Sequence, residues 1–161
     1  MATPGYAEFL DDQGNLIEGG VQIAGREGWS EIMEFEHGMD IPTDPHTGKL
    51  TGVRQHGELT LVKEYDSASP LLYRACCVGQ TLSEVNIHWY QIDDTGTEVE
   101  YFRHTLEQAK VAAVKSFMHN TKDPRYERMT HLEKVSLVYG QITWLYVDGS
   151  LEYTDSWVEE R

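Results

Sequence analysis

The segment from residue 43 to residue 56 is the part of this sequence that most invites a chemical interpretation. It reads TDPHTGKLTGVRQH, and its Thr47-Gly48-Lys49 triplet hints at a phosphate-binding loop. Such a loop needs a glycine five residues before a Gly-Lys-Ser/Thr triplet, a strand in front and a helix behind. Here Leu50 follows Lys49, no glycine stands at the required place, and strand-like residues come next. The sequence therefore argues against a nucleotide site.

Seven histidines and the adjacent Cys76 and Cys77 raise the question of a metal ion or a nucleophile. The histidines show no His-x-His, His-x-x-x-His or His-Glu-x-x-His spacing, and the cysteines lack the spaced pairs of a zinc site. Cys76 falls on the apolar stripe of a predicted helix, which favours a buried thiol over a reactive one. No Gly-x-Ser-x-Gly motif is present, and carboxylate pairs among 27 acidic residues are not diagnostic. We expect no enzymatic activity, no cofactor and no metal ion.

The overall charge excludes two classes of partner. The formal net charge is −14, whereas nucleic acids and anionic membrane surfaces attract basic proteins. No apolar run approaches the roughly 20 residues of a membrane helix, and the first residues lack the pattern of a signal peptide. We expect a single domain over residues 1–161, located in a reducing bacterial cytoplasm, with export independent of a signal peptide.

Period-two alternation of apolar and polar residues predicts β-strands over most of the chain. Residues 57–65, 85–92 and 99–106 read as strands, with a turn at 93–96 joining the last two into a hairpin. The run 135–147 changes phase at Gly140-Gln141, which predicts a bulge and a bend. Asp148-Gly149 predicts a further hairpin. Residues 105–118 are ambiguous between strand and helix, and the β-branched valines favour strand. The sequence therefore predicts a mainly β fold, either a barrel or a sandwich.

One short helix interrupts this pattern, at about residues 69–78. Ser69 suits the cap, Pro70 the first helical position and Gly79 the end of the helix. Leu71, Leu72, Ala75 and Cys76 form its predicted apolar stripe.

The segment 29–39 alternates Met33 and Phe35 with Glu34 and Glu36. The apolar pair is predicted to face the core and the two glutamates to face outward. The glutamates form either a polar wall presented to a partner or an ordinary solvated strand face, since periodicity alone gives the same pattern for both.

The order of these features resembles the haemolysin-coregulated protein (Hcp) family, which forms the tube of bacterial type VI secretion systems. The resemblance spans almost the whole chain, and its most specific parts are IPTD, TGKLTG, KEYDSASPLLY and ITWLYVDG. It implies two β-sheets in a small barrel with a flanking helix. It also implies hexameric rings that stack into a hollow tube, which a contractile sheath expels together with a spike protein. Effector proteins travel in the lumen of such rings, and the family is not enzymatic.

The resemblance assigns roles to particular residues. The segment 43–56 corresponds to an extended loop, expected to lack regular structure, that contacts neighbouring subunits and the next ring through Thr47, Gly48, Lys49, Leu50, Thr51 and Arg54. Glu34 and Glu36 are expected to line the lumen and contact effectors. The alternative is a small β-sandwich that binds a ligand, as lectins do, on a platform formed by Trp89, Trp144 and Trp157.

Overall fold

A computed structural model describes residues 3–158 of the chain. Their fold is mainly β, with one α-helix and one short 3-10 helix. In chain order, the elements are β1 (Gly5–Leu10), β2 (Leu16–Ile17), β3 (Ser30–Ile32), β4 (Glu34–Glu36), β5 (Met39–Asp40), β6 (Gln55–His56), β7 (Leu59–Glu64), α1 (Ser69–Val78), β8 (Thr81–Ile92), β9 (Glu98–Phe117), the 3-10 helix Pro124–Tyr126, β10 (Leu132–Val138), β11 (Gln141–Tyr146) and β12 (Leu151–Ser156).

The 20-residue strand β9 is the centre of the main sheet. It pairs with β8 along one edge and with β10 and then β11 along the other, all antiparallel. The sheet continues outward as β8–β1–β2 on one side and β10–β7–β4 on the other, and β12 pairs with β11. Residues 105–117 are therefore strand, as predicted: residues 105–107 and Lys110 have ladder partners on both sides, and beyond Lys110 the strand pairs with β10.

The predicted bend at Gly140 separates β10 from β11. Both strands pair with β9, and the N–H of Gly140 donates to the carbonyls of Glu107 and Gln108 at the break. Gln108 has a φ of 52°, and a Cβ on Gly140 would lie 3.0 Å from its Oε1 atom. Glycine suits this position because any other residue would press its Cβ on the Gln108 side chain.

The strand pairings do not form the closed barrel that we predicted. The segment from Ser30 to Glu36 bends at Met33, so that β3 pairs with β1 while β4 pairs with β7. Each of these two ladders has three residue pairs. β3 thus joins the β1 side of the ten-stranded sheet and β4 joins the β7 side, and no continuous strand connects the two sides. The second sheet has only β5 and β6. The mainly β architecture with two sheets and one flanking helix is confirmed.

Helix α1 occupies the predicted range and ends at Gly79, whose φ is 69°. Its cap differs from the prediction, because Ala68 precedes the first turn and makes no side-chain cap. Leu72 and Ala75 are buried as expected, whereas Leu71 is 43% exposed. No helix in residues 3–158 is long and apolar enough to cross a membrane.

Ser69 instead belongs to a buried polar cluster that holds α1 on the sheet. The Lys63 ammonium lies 2.5 Å from the Glu133 carboxylate and 2.7 Å from Asp66. The Ser69 hydroxyl donates to Glu133 at 2.6 Å, and Ser30 donates to Asp66 at 2.8 Å. The side chains of Lys63 and Glu133 are both inaccessible to water, so each supplies the charge that the other requires.

The loop 18–29 covers the face of β8 that carries His88 and Tyr90. The Trp29 ring stacks on the His88 imidazole with centroids 4.0 Å apart, and both nitrogens of that imidazole reach carboxylates, of Glu8 and Glu100. Burial lowers the pKa of His88, but these hydrogen bonds outweigh it and leave that pKa above its ordinary value. Arg26 lies over the Tyr90 ring at 3.9 Å. The His88 imidazole and the Arg26 guanidinium thus hold the loop in place through ring contacts.

Candidate interaction surfaces

The segment 37–57 forms an ordered ribbon that we call the arm. At its base, Met39 faces His56 and Asp40 faces Gln55 in a short ladder. Nearer the tip, Thr43 bridges Leu50, and the turn from residue 44 to 49 closes with two backbone hydrogen bonds. The predicted long loop at residues 43–56 is therefore present, but it contains local pairing, because Gln55–His56 form a strand and Thr43 bridges Leu50. The reason is that the glycines and the Asp44 side chain supply the turn chemistry that a hairpin needs.

A cluster at the base fixes the arm to the end of β12. Arg54 donates from Nε to the Asp155 carboxylate at 2.5 Å and from Nη2 to the Ser156 carbonyl at 2.9 Å. The His56 ring is fully buried and lies 2.8 Å from Asp155 through Nε2 and 2.7 Å from the Tyr139 hydroxyl through Nδ1. Burial, and secondly the Asp155 charge, raise the pKa of Tyr139, so its hydroxyl stays protonated. The arm is thus rigidly mounted.

The tip of the arm is exposed and partly apolar. Leu50 is 65% exposed and Val53 is 56% exposed, and both follow Lys49 closely in the sequence. Within residues 3–158, no ion pair of the Lys49 side chain is present. Five of the six residues expected to make subunit contacts lie together at this tip. Arg54 stands apart from them, because it is engaged with Asp155 of its own chain.

Glu34 and Glu36 lie on the outer face of β4, as predicted, and both are exposed. Phe35 between them points inward and packs edge-on against Trp89 at 4.9 Å. Met33 does not share this inward orientation and is 41% exposed, because the chain bends there between β3 and β4. The predicted alternation of apolar and polar side chains is therefore present in β4 but does not extend to Met33, the residue before it.

The outer face that carries these glutamates also carries two lysines that the sequence analysis did not single out. Strand pairing places Glu34, Val62, Lys134 and Lys115 in one row across β4, β7, β10 and β9. These residues border a shallow cavity of about 690 Å³. Adjacent strands lie about 4.8 Å apart, so Glu34 and Lys134 are separated by roughly 10 Å across the sheet. The face is therefore acidic at one edge and basic at the other, a pattern visible only once the strands are paired.

The tryptophans do not form a ligand platform. Trp89 donates its N–H to His104 at 3.0 Å, Trp144 stacks on Tyr153, and Trp157 stacks on His56. Trp89, Trp144 and Trp157 all pack against the hydrophobic core. A lectin-like site has no support from this arrangement, because its aromatic rings must be free to face a ligand.

Polar clusters elsewhere carry no arrangement that suggests catalysis. In residues 3–158, no three His, Cys, Asp or Glu side chains converge as a metal ion requires. Cys77 is exposed, and Cys76 is partly buried against the core. His104 is partly buried near His37, and this burial is the main reason that the pKa of His104 falls to about 4.

Comparison with known proteins gives a consistent result. The family model described as "Type VI secretion system effector, Hcp" matches residues 9–146. The chain is 35% identical to the "Major exported protein" of Pseudomonas aeruginosa, over 98% of this chain and 96% of that protein. Among solved structures, it is similar to a double variant of Hcp1 from E. coli EAEC 042, with a TM-score of 0.87 and 46% identity, covering 97% and 99% of the two chains. It is also similar to the secreted protein Hcp3 of Pseudomonas aeruginosa, with a TM-score of 0.80 and 29% identity, covering 98% and 100%.

Proposed function

Because this chain belongs to the Hcp family of type VI secretion proteins, we propose that it is the structural subunit of a secretion tube. In this proposal, residues 1–161 form one tube-protein domain that assembles into hexameric rings, and the rings stack into a hollow tube. The subunit stays in the bacterial cytoplasm until a contractile sheath expels the tube with its spike protein. Its role is passive, without catalysis, cofactor or nucleic acid.

The observation that carries this proposal is the mounted arm. A ribbon held by Asp155 and Tyr139 at its base has lost most of its conformational freedom before it meets a partner, so binding costs less entropy. Its exposed Leu50 and Val53 gain about 1.5–3 kcal/mol each when fully buried. Such a projection is typical of a protein whose purpose is to contact another copy of itself.

The outer face with Glu34 and Glu36 supports a role as the lumen wall. A six-membered ring would repeat two carboxylates and the two lysines, Lys115 and Lys134, around one axis. Low-dielectric walls strengthen the field inside such a channel. A wall with both signs of charge suits folded effector proteins, whose own surfaces are mixed, better than the purely acidic lumen that the glutamates alone suggested.

The oligomeric state of the purified protein tests the assembly. We expect a hexamer by light scattering after size-exclusion chromatography, and rings with a central hole by electron microscopy. Leu50→Asp is expected to weaken stacking or ring formation, since it puts a charge on the tip. Leu151→Asp, at a leucine of nearly equal exposure in β12, serves as the control. A monomer at high protein concentration, with no rings in micrographs, would refute the proposal.

Effector retention tests the lumen assignment separately. Glu36→Arg is expected to reduce the amount of effector that co-purifies with intact rings. Glu152→Arg, the same charge change at an exposed position of β12, is the matched control. If both variants retain effector equally, Glu36 does not face the lumen.

A further inference from the structure

A second cavity lies at the end of the sheet opposite the arm. It encloses about 380 Å³ between loop residues 20–23, β3 and the end of β7. Three of its lining side chains are large, apolar and well exposed: Ile23 at 47%, Met33 at 41% and Tyr65 at 48%. Exposed apolar side chains gathered in one concavity indicate a contact site more strongly than the same residues scattered on a surface. We call this concavity the socket.

Carboxylates surround the apolar floor of the socket. Glu31 and Glu64 line it and are exposed, and within the described chain neither side chain takes part in an ion pair. Asp66 also lines it, but its carboxylate is held by Lys63 and Ser30. The socket therefore suits a segment that brings a cation beside one or two apolar side chains.

The tip of the arm has this chemistry. It presents the Lys49 ammonium next to the exposed Leu50 and Val53. The apolar groups match the socket floor, and the cation matches Glu31 and Glu64. Opposite charges placed in this way favour the correct register of two surfaces.

The arm and the socket lie at opposite ends of the β4–β7 strand pair. The arm leaves β4 after Glu36 and rejoins the sheet before Leu59, and these ends lie side by side in the antiparallel β4–β7 pair. The socket lies at the other end of that pair, at Met33 and Glu64. Because β7 has six residues, the two ends are roughly 20 Å apart. A projection at one end and a matching concavity at the other produce a head-to-tail contact that repeats from copy to copy.

We propose that the socket receives the arm tip of a second copy of this chain in the next ring of the stack. The inference rests on the proposed tube function and specifies the surface that the arm meets. The basic loop 118–131 is a weaker occupant, because it leaves the sheet where Phe117 faces Leu132 and Leu132 faces Glu64. It therefore emerges at the same end as the socket, and head-to-tail stacking directs it away from a neighbour's socket.

Disulfide trapping tests this contact. The background is the full chain with Cys76→Ser and Cys77→Ser, and the test variant adds Leu50→Cys with Met33→Cys. One control pairs Leu50→Cys with Leu71→Cys, which matches the exposure of Met33. A second control pairs Met129→Cys with Met33→Cys and so tests the loop 118–131. Each sample is checked for rings by light scattering, oxidised mildly, and run on a non-reducing denaturing gel.

We expect a ladder of dimers, trimers and longer chains from the test variant, because each copy carries one tip and one socket. Thiols held together by docking have an effective concentration in the millimolar range, so linked material should exceed either control by at least about tenfold. Rings without a ladder, or an equal ladder from either control, would overturn the socket assignment and leave the tube proposal standing. A background protein that is monomeric under all conditions would overturn both.

Discussion

The Lys63–Glu133 ion pair leads to a prediction about stability that the geometry makes quantitative. Lys63→Met would remove the ammonium that lies 2.5 Å from Glu133 and leave that carboxylate inaccessible to water. Ser69 would remain as its hydrogen-bond donor, while Glu133 Oε2 has no hydrogen-bond partner among the described residues even in the unchanged protein. Breaking a buried pair by removing one partner costs about 3–5 kcal/mol. Domains of this kind have a total free energy of unfolding of about 5–15 kcal/mol, so we expect a large loss.

The double variant Lys63→Met with Glu133→Leu separates the cost of an orphaned charge from the value of the pair. Two apolar side chains of similar volume need no solvation, so we expect most of the lost stability to return. Asp66 keeps its hydrogen bond from Ser30 and is partly accessible to water, so it tolerates the loss of Lys63.

Urea unfolding followed by tryptophan fluorescence measures these differences. The experiment is repeated at several protein concentrations, because self-association adds to the apparent stability of any variant. The reasoning about buried charge fails if Lys63→Met costs less than about 1 kcal/mol, well below the range for a broken buried pair. It also fails if the double variant is less stable than either single one.

Three further substitutions test the role of His104, the base of the arm and the bend at Gly140. The pKa of His104 is lowered to about 4, so the unfolded chain binds this proton more readily than the folded protein does. Stability is therefore expected to fall as the pH drops from about 6.5 to 4. His104→Gln is expected to flatten this part of a plot of the unfolding midpoint against pH. Arg54→Ala removes the charge-assisted hydrogen bond to Asp155 and is expected to accelerate hydrogen exchange in the arm about tenfold or more without affecting β9. Gly140→Val forces a Cβ against Gln108 and is expected to cost about 1–3 kcal/mol in urea unfolding, whereas no change would show that the break between β10 and β11 relaxes freely.

Local signals in the sequence predicted most of the elements. Pro70 and Gly79 bracket the helix because their backbone preferences act at the positions where they stand. Gly140 marked the bend for a similar reason, since a residue without a side chain leaves room for the Gln108 side chain. In each case, the information lies within a few residues of the feature that it determines.

Features that depend on distant residues were missed. The burial of Lys63 depends on Glu133, far along the chain, which neutralises it. Likewise, the stacking of Trp29 on His88 joins two residues that are distant in the sequence. The mixed charge of the face around Glu34 was hidden in the same way, because Lys134 reaches it through strand pairing and not through sequence proximity.

The position of β9 at the centre of the sheet has a consequence for how the chain acquires its structure during synthesis. Two of the early strands have a partner late in the sequence: Leu10 of β1 faces Glu84 in β8, and Glu64 of β7 faces Leu132 in β10. Other pairings close locally, among them β1 with β2 and the hairpin of β8 and β9 through the turn around Gly96. Contacts this far apart in sequence slow folding, because loop closure precedes any gain from pairing. One edge of β1 and one edge of β7 therefore stay unpaired until the later strands have left the ribosome. We expect the arm tip and the socket to become competent for assembly only after the C-terminal strands have emerged.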